Sequence, residues 1–279
     1  MNLSPGFHRG VPMEVYLGMD AIGSTHLSWL KISPLHYAYQ LGVEREDTEA
    51  TGLGTAVHTA VLEPEEFRAR YVCEPDPHAI APTNASPRAT NAYKAAVKLL
   101  RASGRIVLKR ETMEQIDAMA DAVRSNPHIA KLLTRAPERE VTMVWERDGH
   151  LCRGRGDAIG DGVLADLKTT RSLARFSPFE FTKFGYYRQQ AWYLDGAKRL
   201  GREFDHVLMP VVESTPPYDV ALFAVDSDGI AFGHIECDEL MEKLAECERT
   251  GHWPGMFPEI QRATVTDWYA AEMASEEVA

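Results

Sequence analysis

Long apolar runs are missing from this sequence. No stretch of the 279 residues approaches the roughly 18 consecutive apolar residues that a membrane-crossing helix needs. The opening, Met1-Asn-Leu-Ser-Pro-Gly-Phe-His-Arg-Gly10, lacks the basic-then-apolar layout of a secretory signal, so the expected location is cytoplasmic and no membrane partner is expected. Cysteine is scarce, with residues only at 73, 152, 237 and 247, and none forms Cys-x-x-Cys. That spacing disfavours a structural zinc site and reads as reduced, mostly buried thiols. Internal repeats and low-complexity tracts are absent as well. Positive charge is in short supply, with 30 Lys and Arg against 41 Asp and Glu and a net charge of −11. Taken as a sum, this argues against nucleic acid as a partner.

The sum hides a local contrast. Arg153, Arg155, Lys168, Arg171, Arg175, Lys183 and Arg188 fall close together, whereas acids cluster at Glu63-Pro-Glu-Glu66 and from Glu236 onward. Two readings stay open, a basic groove on an acidic body or a basic helix face. The remaining composition, 44% hydrophobic and 25% charged, fits one large globular domain, or one domain with a helical appendage.

Periodicity divides the chain. Residues 1–20 read as irregular. Helices are expected over 24–32, from Ser33-Pro34 into Leu35-His-Tyr-Ala-Tyr-Gln-Leu41, over 51–62, over 91–102 and over 111–133, with an exposed loop at 74–90. Beyond that the period shortens to two. Strands are expected at 141–146, 151–159 and 163–167. Ser177-Pro-Phe-Glu180 has the form of a capping box with proline at the first helical position, opening a helical stretch to about Leu200 with a break near Gly185. Strands at 206–213 and 218–225 flank Pro216-Pro217, a long helix covers 227–250, and an acidic tail closes the chain. The order implies an α/β domain, a mixed sheet flanked by helices with an N-terminal helical elaboration.

The most informative segment is Cys152-Arg-Gly-Arg-Gly-Asp157-Ala-Ile-Gly-Asp-Gly162-Val-Leu-Ala-Asp166-Leu-Lys168. Asp161-Gly162 is a two-residue hairpin signal. A turn there would pair Gly160 with Val163, Ala158 with Ala165 and Asp157 with Asp166, and opposed residues have Cβ atoms about 5 Å apart. Two carboxylates at that distance repel unless a cation sits between them. On a continuous strand, Lys168 shares a face with Asp166. Two acids and an ammonium at one spot suit a divalent metal and a water held against a phosphate. The bland alternative is a solvated strand face. Elsewhere His58 stands on a helix of small and apolar residues, either as a core residue or as a ligand. Gln189 and Tyr193 share a helix face one turn apart, and Glu140 offers a further carboxylate or belongs to a solvated run.

Together these residues resemble the PD-(D/E)XK nuclease superfamily in its RecB-like branch, through Asp157, Asp166-Leu-Lys168 and Gln189-x-x-x-Tyr193. Gly54-Thr-Ala-Val-His58-Thr-Ala-Val-Leu-Glu-Pro-Glu, Asp166-Leu-Lys-Thr-Thr170 and Gln189-Gln-Ala-Trp-Tyr-Leu-Asp-Gly196 resemble RecE-type phage exonucleases, the exodeoxyribonuclease VIII nuclease domain. The resemblance implies a restriction-endonuclease-like mixed sheet in a single exonuclease domain over 21–265. A helical part (21–135) would precede the nuclease core (136–265), with 1–20 and an acidic 266–279 outside it. It implies one or two Mg²⁺ or Mn²⁺ ions held by His58, Asp157, Asp166 and the Leu167 carbonyl. Lys168 would orient and help deprotonate the attacking water, and Gln189 and Tyr193 would position the strand. On the basic-groove reading of the charge pattern, Arg153, Arg155, Arg171, Arg175 and Arg188 would contact DNA. It also implies 5′-to-3′ resection of double-stranded DNA ends to leave 3′ overhangs for a single-strand annealing protein in phage-type recombination, in a bacterial or phage-infected cell. A homo-oligomeric ring, trimeric or tetrameric, would enclose the DNA. Three rival readings remain: a RecB-like nuclease acting on single-stranded or flapped DNA, a non-catalytic DNA-binding scaffold, and a hydrolase of small phosphoesters.

Overall fold

The structure is a computed structural model and describes residues 3–43, 49–160 and 162–263. The 266–279 tail expected from sequence lies outside them. In chain order the elements are β1 (Gly6–His8), α1 (Met13–Leu17), α2 (Ser24–Ile32), α3 (Pro34–Gln40), α4 (Glu49–Leu62), α5 (Pro64–Arg70), β2 (Tyr71–Cys73), α6 (Pro77–Ile80), α7 (Asn91–Ala102), β3 (Ile106–Leu108), α8 (Arg110–Ser125) and α9 (Pro127–Arg135). Then follow β4 (Glu138–Arg147), β5 (His150–Gly160), β6 (Val163–Ala165), β7 (Lys168–Thr170), α10 (Leu173–Arg175), α11 (Phe181–Lys183), α12 (Tyr186–Arg199), β8 (His206–Glu213), β9 (Val220–Ala224) and α13 (Ser227–Thr250).

Local chemistry accounts for many of the boundaries. Ser33 caps α3 by accepting the His36 N–H, and Pro34 supplies a pre-set φ at the first helical position. The single helix expected over 111–133 is two. Pro127 cannot continue α8, and Asn126 caps α9 by accepting from the His128 and Ile129 N–H groups. The expected capping box at Ser177 does not form. Phe176–Glu180 is instead a π-helical turn, and the Glu180 carboxylate accepts from the Thr170 hydroxyl. Residues 1–20 are not irregular throughout, since β1 pairs with β4 and α1 follows it. The stretch 74–90 is only partly an exposed loop, because Glu74 is buried and bonded to Arg88 and Tyr93.

The main sheet has seven strands. The antiparallel run β1-β4-β5-β6 meets β8 in parallel, and β9 returns antiparallel on the other side of β8. The β5–β6 hairpin keeps the expected register, Gly160 with Val163 and Ala158 with Ala165. Asp161, half of the expected turn, lies outside the described residues.

The strand expected over 163–167 is interrupted. β6 ends at Ala165 and β7 resumes at Lys168, both alongside β8, with Ala165 opposite Leu208 and Lys168 opposite Val211. That register sets Leu167 against Pro210. The Asp166 N–H still reaches the Leu208 carbonyl at 3.1 Å, but proline has no N–H to return the next bond. Asp157 and Asp166 are therefore not a ladder pair.

Helices cover both faces. On one, α2, α12 and α13 bury Leu27, Leu30, Trp192, Leu240 and Leu244 against Val141, Met143, Trp145 and Ile159 of the sheet. On the other, α4, α8 and α9 bury Val57, Val61, Ile116, Met119 and Ile129 against Leu167 and Val212. At about 25 cal/mol per Å² of apolar surface, burial of this kind is the main favourable term in folding. Close approach of α12 to the sheet depends on Gly154, where a Cβ would fall 2.7 Å from the Tyr193 ring.

Candidate active site

The break between β6 and β7 frees the backbone of Leu167, and the site is built around it. Its N–H turns away from β8 and donates to Asp157 Oδ2 on β5 at 2.6 Å. Its carbonyl accepts from the His58 ring. His58 comes from α4, which packs on the sheet through Val57 and Val61. His58 Nδ1 lies 3.5 Å from Asp157 Oδ2.

Glu140 is the register partner of Asp157 in the β4–β5 ladder, but the ladder skips that pair. Glu140 takes φ 48°, the left-handed region, which is rare for a non-glycine residue. Strained backbone of this kind is found preferentially at functional sites. One ligand atom each from His58, Glu140 and Asp157 lie within 4.8 Å of one another. Asp166 ion-pairs with Lys168, and the ammonium also sits 5.0 Å from the Tyr186 ring centroid.

These residues line one cleft of about 630 Å³, together with Gln189 and Tyr193 from α12. Gln189 Nε2 donates to the Tyr193 hydroxyl at 3.0 Å, while its carbonyl oxygen is buried without a partner. Such an acceptor is costly to leave empty and suits a substrate or water donor.

The electrostatics of the cleft are those of a cation site. Burial, and then the charges of Asp166 and Glu140, push the Asp157 carboxyl well above the usual carboxylate range. Burial pushes Glu140 up to about 7, with Arg155 opposing and Glu63 and Asp166 adding to it. Burial, and then the Lys168 charge, lower His58 to about 4, so its imidazole is neutral at physiological pH, the ligating form. Burial disfavours the Lys168 charge, but Asp166 and Asp157 outweigh it and the ammonium is retained. Crowded acids, a neutral imidazole and the Leu167 carbonyl are a donor set that fits a hard divalent cation.

The basic residues divide. Arg153 is buried and donates to the backbone carbonyls of Tyr16, Leu17 and Met19. Arg188 is buried and donates to Glu236 at 2.6 Å and Ser28 at 2.8 Å. Both guanidinium groups are thus engaged within the fold. Arg155 lines the cleft but is also tied down, bonding Thr142 and the Val11 carbonyl, with its guanidinium 4.4 Å from the Tyr16 ring centroid. Arg171 and Arg175 are exposed on the segment after β7, outside the cleft.

The expected separation of acids from the site does not hold either, since Glu14, Glu63 and Glu66 line the cleft. Sequence reasoning also missed Tyr16 and Met13, which wall the cleft from the N-terminal segment. No period or motif marks them. The Glu63-Pro64 end of α4, two turns beyond the His58 position, was the available signal for the extra acids.

Comparisons agree with the architecture. The family described as "PDDEXK-like domain of unknown function (DUF3799)" matches residues 24–263. A crystal structure described as "Putative exonuclease" from Eubacterium rectale superposes with a TM-score of 0.53 at 12% identity, covering 93% of this chain and 97% of that one. Weaker likenesses include SSO0001 (TM-score 0.28, 18% identity, 56% of this chain and 81% of that one) and LHK-Exo in complex with dAMP (TM-score 0.24, 18% identity, 64% and 92%). No curated protein matches the chain. Among the described residues, no helix is long and apolar enough to cross a membrane.

Proposed function

Because the chain belongs to the PDDEXK-like domain family that it matches over residues 24–263, we propose that it is a metal-dependent exodeoxyribonuclease, resecting linear duplex DNA from the 5′ end to leave 3′ overhangs. The observation that carries this reading is the meeting of His58, Glu140, Asp157, Asp166 and Lys168 in one cleft from four separate parts of the chain. Asp157, Glu140 and His58 would hold Mg²⁺ or Mn²⁺, one or two ions, with Asp166 and the Leu167 carbonyl as further ligands. The cation would lower the pKa of a bound water and offset charge on the phosphate.

The chain's own groups supply the rest. Lys168, kept charged by Asp166 and Asp157, donates to the phosphate oxygen on which charge grows. A retained ammonium has no room for a proton, so deprotonation of the attacking water moves from Lys168 to a carboxylate. Gln189 and Tyr193 orient the strand through the unpartnered amide oxygen and the phenol. Asp157, which accepts the Leu167 N–H, holds the β6–β7 break open toward the cleft.

The same residues also fit a second reading, cleavage of single-stranded or flapped DNA. The ring assembly, the annealing partner and the recombination role are supported by the RecE-type resemblance alone. The deciding experiment uses linear duplex, single-stranded and flapped DNA labelled at either end, with Mg²⁺ or EDTA, for the native protein and Lys168→Ala. Mg²⁺-dependent early release of the 5′ label from duplex, lost in the variant, is expected. Release from single strands or flaps alone would favour the second reading, and no release from any substrate would sink both.

A further inference from the structure

The segment between β7 and α12 carries exposed aromatic rings with cations beside them, and the cleft chemistry does not use them. Phe179, on the π-helical turn, is 61% exposed, and Phe184, after α11, is 51% exposed. Large apolar rings left in water are unfavourable unless something covers them. The Arg175 guanidinium lies 5.8 Å from the Phe179 ring centroid and the Lys183 ammonium 5.6 Å from that of Phe184. Among the described residues, Arg171, Arg175 and Lys183 carry no ion pair, whereas Arg153 and Arg188 are consumed internally. The one acid of this segment, Glu180, is turned inward to Thr170. On a chain of net charge −11, cations without an acidic partner stand beside exposed rings here.

The segment is also coupled to the cleft. Phe184 contacts Tyr186 at 5.8 Å between centroids, and Tyr186 lies under the Lys168 ammonium. A line of contacts therefore joins Lys168 through Tyr186 to Phe184. Rings that offer π-faces, beside cations that match phosphates, are the means by which unpaired strands are held without regard to sequence.

We propose that Phe179 and Phe184, with Arg175 and Lys183, form a base-stacking platform for an unpaired nucleic-acid strand outside the cleft. The proposal rests on the nuclease reading for the strand it names. Exposed rings of this kind also suit a protein interface, but the unpaired cations favour a polyanion.

The test uses the full chain with Ca²⁺ replacing Mg²⁺ to hold back hydrolysis, and a fluorescein-labelled oligothymidylate carrying one 2-aminopurine. Phe179→Ala and Phe184→Ala are each expected to weaken binding by roughly fivefold or more and to relieve the 2-aminopurine quenching, with unchanged melting temperatures because both rings are exposed. Arg175→Gln combined with Lys183→Gln is expected to reduce the salt slope of log K by about 1.4, at ~0.7 per lost phosphate contact on a single strand. Affinity within about twofold of the native protein in both ring variants would overturn the platform, since a stacked base is worth more than that. A ring variant that changes the sedimentation of the protein and leaves oligonucleotide affinity alone would overturn it in favour of a protein interface. Binding that depends on the rings, in a protein that hydrolyses no DNA with Mg²⁺, would keep the platform and sink the nuclease reading instead.

Discussion

Glu140 gives the sharpest test of whether the cleft is built for a cation. Its carboxyl is raised from 4.5 to about 7, chiefly by burial, with Glu63 and Asp166 adding and Arg155 opposing. In an unfolded chain the group ionises near 4.5; in the folded protein it holds its proton to about 7. Between these values the folded state binds more protons than the unfolded state, so stability from this group falls as pH rises through the window. At about 1.4 kcal/mol per pH unit, ionised Glu140 costs the metal-free fold about 3 kcal/mol by pH 8.

Glu140→Gln removes that cost and keeps the shape. Metal-free variant and native protein should be equally stable at pH 4.5, and the variant should be more stable by about 3 kcal/mol at pH 8. For a chain of this size that difference is a melting-temperature gain of about 5–10 °C. The difference between the two proteins is the proper readout, because His58, lowered to about 4, makes stability rise with pH from about 4 to 6.5 in both. Saturating Mn²⁺ should stabilise the native protein at pH 8 more than it stabilises the variant. Thermal melts in EDTA and in Mn²⁺ from pH 4.5 to 8 measure all of this. A variant less stable than the native protein at pH 8 in EDTA would refute the reasoning, because Glu140 would then be a stabilising partner of Arg155 rather than a carboxylate waiting for a cation.

Other substitutions separate chemistry from architecture. His58→Ala should raise the Mn²⁺ concentration for half-maximal cleavage by roughly tenfold or more while costing little stability, as its side chain is partly open to the cleft; a metal titration of activity checks this, and an unfolded variant would return His58 to the core. Arg153→Met should lower stability by about 3 kcal/mol, because the carbonyls of Tyr16, Leu17 and Met19 lose their shared donor; denaturant unfolding tests it, and a loss of DNA affinity without loss of stability would reverse the assignment. Gly154→Ala should push Tyr193 off the sheet, since the new methyl meets the ring at 2.7 Å, and reduce kcat by roughly tenfold or more with metal affinity intact; an unchanged kcat would remove Tyr193 from the strand-positioning role.

Sequence alone was enough for the features that depend on neighbours in the chain. The β5–β6 register follows from a turn and an alternating pattern, and the bounds of α2, α12 and α13 follow from period, glycine and caps. The grouping of Asp157, Asp166 and Lys168 was legible for the same reason, because a hairpin brings nearby residues together. Even there the mechanism differed in detail. The pair is set by a strand break opposite Pro210, a residue more than forty positions away in sequence, and the N–H bond from Leu167 replaces the expected face-to-face carboxylates.

What only the tertiary structure decided are the fates of long polar side chains. An arginine in a sequence is a charge; whether it meets a phosphate or three backbone carbonyls depends on which distant segment arrives beside it. Arg153 and Arg188 met carbonyls, Ser28 and Glu236, while Arg175 and Lys183 met aromatic rings. Glu140, left open between a further metal carboxylate and a solvated run, and Glu63, read as part of an acid cluster away from the basic residues, were carried into the cleft by the packing of β4 against β5 and of α4 on the sheet. Burial and the like charges around it then raised the Glu140 carboxyl, and burial is a property that no local pattern encodes.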